Sequence, residues 1–198
     1  MVITRSRSYH HGDLRAELLR RAEDTLRESG VDGLSLRQLA RDTGVSHAAP
    51  TRHFPDRQAL LDALAVAGFE RLGADFENLT PAESGIDPMP AMARTYLRFA
   101  TENSALLALM FARRHSPVAG DVMSRAVDRA FAVPVALIAE GQARGDLIPG
   151  DPRRLALTAV AALQGLATFL GSGLVATEAA QEWLDDLVTH VTLGLKPR

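Results

Sequence analysis

Leu14, Leu18, Ala22 and Leu26 fall every fourth residue, with Leu19 beside them, and that spacing recurs with interruptions to the end of the chain. Residues so spaced lie on one face of an α-helix, whereas a half-buried strand alternates apolar and polar side chains. No useful length of such alternation occurs, so the chain is expected to be all-α, about nine helices in total, with no internal repeat. Its 198 residues suffice to bury a core, and 46% hydrophobic against 23% charged residues sets it apart from disordered chains.

Glycine, proline and capping residues punctuate the pattern. Residues 1–11 lack the period and read as a flexible arm carrying Arg5, Arg7, His10 and His11. The first helix stops near Ser29-Gly30, and Asp32-Gly33 makes a turn. Ser35 with Gln38 three residues on matches a capping box at the head of a second helix, which Gly44 ends. Ser46 is the expected N-cap of a third helix from His47 to about His53, which Phe54 and Pro55 terminate. Asp56 caps a long fourth helix bearing Leu60, Leu61, Leu64, Phe69, Leu72 and Phe76. Residues 80–90, TPAESGIDPMP, read as a loop, and helical patterns follow at about 89–103, 104–113, 118–143, 152–172 and 177–194. Pro134 lies inside the 118–143 pattern, where it removes a backbone donor; it either bends one helix, making room for a pocket beneath, or splits it in two.

Residues 41–54, RDTGVSHAAPTRHF, put polar and blunt residues between two hydrophobic segments. Two short helices joined by a tight glycine turn, following a longer helix, make a helix-turn-helix; a plain surface turn between core helices is the alternative. In a helix-turn-helix the second short helix offers its N-terminal residues to the DNA major groove. Val45, Ala49 and Phe54 would seat it, while His47, Ala48, Thr51 and Arg52 would face the bases, the small ones meeting thymine methyls. Charge agrees weakly: residues 1–57 hold ten Arg and eight Asp or Glu, a formal +2, and the remainder a formal −4.

YHHGDLR followed by LSLRQLARDTGVSHAAPTRHFPDRQALLDAL resembles the N-terminal domain of the TetR family of bacterial transcriptional regulators, over about residues 9–70. The resemblance implies a helix-turn-helix domain at 12–57 and a C-terminal regulatory, ligand-binding and dimerisation domain at 58–198. It implies that Arg37 reaches the groove from the second helix. Ser46, His47, Ala48, Ala49, Thr51 and Arg52 belong to the recognition helix, and His53 and Arg57 are placed at phosphates. Thr51 departs from the family, which usually has tyrosine there, and the reading is that it exchanges a phosphate contact for a smaller base or methyl contact. The arm arginines either trail free or reach the minor groove.

Residues 155–176 carry no charge and are long enough to span a membrane, but alanine, glycine, threonine and Gln164 dilute them, so a helix buried on all sides is expected instead. In the family the last two helices of each subunit form a four-helix dimer interface. That implies a homodimer through Leu163, Leu166, Leu170, Trp183, Leu184, Leu187, Val188 and Val191, on half-sites roughly 34–36 Å apart. A small-molecule effector is likewise implied, apolar and uncharged, held by Tyr96, Phe99, Met110, Phe111, Phe131, Leu163, Gln164, Leu166 and Phe169. The partners expected are therefore a double-stranded DNA operator, the effector and a second copy, without membrane or cofactor. No cysteine is present and no apolar run follows the basic N-terminus, so a reducing cytoplasm fits. His10 and His11 lack a suitably spaced third ligand for a metal. No hydrolase, dinucleotide, P-loop or metalloprotease motif occurs, which argues against an enzyme and leaves a helical protein-interaction module as the rival to a repressor.

Overall fold

The computed structural model describes residues 11–79, 88–112 and 119–195, and these are helical with no strand among them. Residues 1–10 of the arm, most of the 80–90 loop and the basic C-terminal residues lie outside the described residues, and His11, expected in the arm, belongs to the first helix. The helices are α1 His11–Ser29, α2 Leu36–Asp42, α3 Arg57–Glu77, α4 Pro88–Glu102, α5 Ser104–Met110, α6 Gly120–Ala130, α7 Ala132–Arg144, α8 Pro152–Gly171 and α9 Ala180–Gly194.

Helix α1 buries Leu14, Leu18, Ala22 and Leu26, the face its spacing marks. The second helix begins at Leu36 with Ser35 at its N-cap, where expected, but the capping box does not form. Ser35 is extended at the N-cap without a side-chain bond, and Gln38 instead donates to Asp42 at 2.6 Å. Gly44 sits at φ 69°, the left-handed conformation that a side chain resists. The Gly44 N–H reaches the Arg41 carbonyl at 3.1 Å and the Val45 N–H the Ala40 carbonyl at 3.0 Å, the paired bonds of a Schellman motif.

Asp56 accepts from the Ala59 N–H at 2.8 Å and starts α3, a cap worth about 1 kcal/mol. Burial on α3 covers Leu60, Leu61, Leu64, Ala65, Phe69, Leu72 and Phe76, so it is sheathed on most sides rather than along one stripe. Gly73 makes this possible against α6: a Cβ there would stand 3.0 Å from the Ala130 Cα. One apolar core runs without a break from Leu14 through α3 to Leu184.

The long helical pattern at 118–143 is two helices parted at Phe131. Pro134 has no N–H to donate to the Ala130 carbonyl, and with the break at Phe131 it falls in the first turn of α7, where no such donor is needed. Pro88 and Pro90, prolines of the expected loop, lie in the first described turn of α4, where a missing N–H costs no bond. Helix α8 is not buried on all sides. Ala156, Val160, Leu163 and Leu166 face α4, α7 and α9, while Leu157 and Phe169 remain 48% and 43% exposed. It is the one helix among the described residues long and apolar enough to cross a membrane, yet its inner face is packed into the bundle.

Candidate nucleic-acid interface

After the Gly44 turn the backbone makes consecutive turns that tighten into a 3-10 helix at Pro50–Arg52, not the two-turn α-helix expected from His47 to His53. The bonds run three residues back, Ala49 to Ser46 at 2.9 Å, Arg52 to Ala49 at 3.3 Å and His53 to Pro50 at 3.0 Å, until Phe54 closes the segment four back on Pro50 at 2.9 Å. Pro50 supplies the cause, since it cannot donate to the Ser46 carbonyl as α geometry would require. Ser46 does not cap with its side chain: the residue before the 3-10 turn is Ala49, and no side-chain cap bond forms.

Four apolar groups, Val45, Ala49, Pro50 and Phe54, seat this segment. Pro50 and Phe54 are buried, and Val45 is half-buried against the core. The guanidinium of Arg15 on α1 lies 5.3 Å above the Phe54 ring, a cation–π contact that ties the first helix to the segment's end. Removing Phe54 as alanine would cost about 3–5 kcal/mol by the usual cavity penalty.

On the outer side Arg37, Ser46, His47, Ala48, Thr51 and Arg52 are exposed together. Arg37 and Arg52 enter no ion pair or hydrogen bond among the described residues, so two full charges stand free. The Thr51 hydroxyl donates to the Ala48 carbonyl at 3.0 Å, leaving its methyl as the group it offers. His53 is half-buried beside Phe54, with ring centroids 6.5 Å apart.

Two expected DNA residues are placed otherwise. Ala49 is turned toward the core and packs there, as its expected seating role has it and not as a DNA contact. Arg57 is spent internally: its Nε donates to the Leu34 carbonyl at 2.9 Å and its Nη2 to the Val31 carbonyl, closing the turn between α1 and α2. Arg15 and Pro50 are the contributors that sequence reasoning missed. The missing N–H of a proline inside a proposed helix was the available signal for Pro50; nothing in the sequence marks Arg15 as facing Phe54.

In the C-terminal half an apolar cleft of about 70 Å³ is lined by Phe76, Met92, Tyr96, Pro134, Ile138, Val160, Leu163, Leu187, Val188 and Val191, among others. Of the expected effector residues, Tyr96 and Leu163 reach it, and the Tyr96 hydroxyl donates to Gln164 Oε1 at 2.6 Å. Burial pushes the Tyr96 phenol above its ordinary pKa, so it stays protonated and remains the donor of that bond. Phe99, Met110 and Leu166 are core residues away from the cleft, and Phe111 and Phe169 are exposed. Phe131 borders a separate pocket of about 200 Å³ with Val135 and Arg153.

The expected dimer residues also divide. Leu163, Leu166 and Leu184 are buried within their own subunit, and Leu187, Val188 and Val191 line its cleft, so their apolar faces are already used. Leu170 is half-buried, and only Trp183, 51% exposed, stands clear. The free apolar surface is the other side of α8 and α9, where Leu157, Ala161, Phe169, Trp183 and Leu193 are exposed.

Residues 18–64 match the family described as bacterial regulatory proteins, tetR family, and residues 89–191 match the Tetracyclin repressor-like, C-terminal domain. A solved structure of a protein with unknown function from Rhodococcus sp. RHA1 superposes with a TM-score of 0.85 at 45% identity, covering 97% of this chain and 100% of that one. The class A tetracycline repressor protein from transposon 1721 of Escherichia coli is 52% identical over 50 residues, 25% of this chain and 23% of that protein. An HTH-type transcriptional regulator of Mycobacterium bovis is 30% identical over 142 residues, 68% of this chain and 59% of that protein. The chain thus spans less than two thirds of the length of either of these two relatives.

Proposed function

The chain belongs to the TetR family of bacterial transcriptional regulators, and from that membership we propose that it binds a palindromic DNA operator as a homodimer and acts in the cytoplasm as a repressor released by a small apolar effector. The observation that carries the reading is the exposed set Arg37, Ser46, His47, Ala48, Thr51 and Arg52 on a seat fixed by Phe54, with both arginines unpaired among the described residues. Unpaired guanidiniums beside small side chains suit base edges and phosphates, whereas a protein-interaction surface would present more apolar area.

The dimer would form through the free sides of α8 and α9. Thr158, Ala161, Gly165 and Thr168 lie along that side of α8, and a Cβ at Gly165 would meet nothing within 4 Å, so a second helix can approach closely there. One copy contacts too few bases for useful specificity; two copies read half-sites roughly one helical turn apart.

The effector would enter the apolar cleft. At about 70 Å³ it is well below the roughly 300–1,000 Å³ of drug-sized sites, so binding must spread α4, α7, α8 and α9. Arg71 offers a route for that strain toward the DNA face. It donates to Glu23 on α1 at 2.9 Å and to Asn103 at 2.9 Å, and stacks 5.2 Å above Phe99, which shares α4 with Tyr96. Any effector acts only by its differential affinity for the two arrangements.

The test is a selected DNA consensus followed by a binding titration. A palindrome bound by the native chain, with affinity falling in Arg52→Ala, is expected. Indifference to every duplex at low salt would sink the reading.

A further inference from the structure

Most arginines among the described residues are spent in ion pairs, hydrogen bonds or stacking. The exceptions are Arg37 and Arg52 on the DNA face, the isolated Arg125 and Arg154, and one adjacent pair, Arg94 and Arg98. That pair lies four residues apart on the exposed face of α4, the spacing at which like charges repel. Both line a groove of about 760 Å³ walled by the ends of α8 and α9, within the size range of small-molecule sites. Its apolar side is Leu97, Leu170 and Leu184, its polar side adds Thr95, Thr101 and Gln181, and among the described residues no carboxylate lines it.

The groove and the apolar cleft are on different faces of the same helix. Met92, Ala93 and Tyr96 look into the cleft, while Ala91, Arg94, Thr95 and Arg98 look into the groove. No residue of the recognition segment lines the groove, and neither does any of the exposed residues assigned above to the dimer face. DNA binding and dimerisation therefore leave both positive charges without a use.

We propose that this groove is a second small-molecule site, separate from the cleft, for an amphiphilic anion whose carboxylate or phosphate head sits between Arg94 and Arg98 and whose apolar body lies along Leu97, Leu170 and Leu184. Two guanidiniums give an anionic head charge-assisted and bidentate bonds, and binding relieves their mutual repulsion. An alcohol of the same length keeps the apolar contacts and loses those bonds.

Isothermal titration of decanoate and of decanol into the full chain tests the assignment. Decanoate is expected to bind about tenfold or more tightly than decanol. The double variant Arg94→Gln/Arg98→Gln, whose side chains are exposed and whose melting temperature serves as the folding control, is expected to lose that advantage while decanol is unaffected. Decanoate that binds the double variant as well as the native chain, decanol that matches decanoate, or decanoate that fails to bind at all would each overturn the proposal. Because the readout is direct binding without DNA, its result is independent of whether an operator exists.

Discussion

Arg52 and Arg57 stand five residues apart and differ in what they touch. The first is exposed and has no partner among the described residues, and the second holds the carbonyls of Val31 and Leu34. Arg52→Ala should therefore weaken operator binding by about 1–3 kcal/mol and relax the preferred sequence, with little change in melting. Arg57→Ala should do the reverse, costing about 1 kcal/mol of stability because its bonds are partly solvent-exposed, and leaving the salt slope of binding nearly intact. Thermal melts beside anisotropy titrations separate the two. Thr51→Tyr should tighten binding and steepen the salt dependence by adding a donor for phosphate; a variant that binds no better argues against the exchange assigned to Thr51. At this scale sequence could name which residue types occupy the head but not which way each turns. The partners of Arg57 lie 23 and 26 residues away, a separation no local spacing encodes.

Helix periods and breakers were legible where local chemistry decides them. Gly44, with φ 69° and a Schellman pair of bonds, ends α2 as its composition requires. Gly44→Ala should cost about 1–2 kcal/mol, read as a lower melting temperature, because the added Cβ opposes that backbone. Legibility failed where a proline admitted two outcomes. Pro50 tightens the recognition segment into a 3-10 turn, and Pro134 parts α6 from α7, and in both cases the choice depends on packing beyond the element. Coupling between elements belongs here too. Arg71→Met should keep the fold and the DNA affinity without effector, yet shrink the effector's influence on that affinity, since the link from α4 to Glu23 is cut. Measuring operator affinity with and without a ligand that raises the melting temperature checks it; undiminished release would exclude this route.

For the whole molecule, periodicity showed that α8 and α9 are apolar but not whose core each side serves. A single helix face reads alike whether it packs on its own subunit or on a copy, and Leu163 and Phe169 differ only in the fold. Phe169→Glu should leave the monomer folded and shift sedimentation toward a single chain, with operator affinity falling steeply as two-site binding is lost; a variant that still sediments as a dimer and binds DNA places the interface elsewhere. The unbroken core through α3 carries a further consequence for how such a chain can be rebuilt. A head joined by a linker could be cut free by a protease or recombined onto a foreign body at one crossover point. Here the rod that plants the head is also the keel of the body, so a chimera must take all of α3 together with the surfaces that grip it, or neither half will stand.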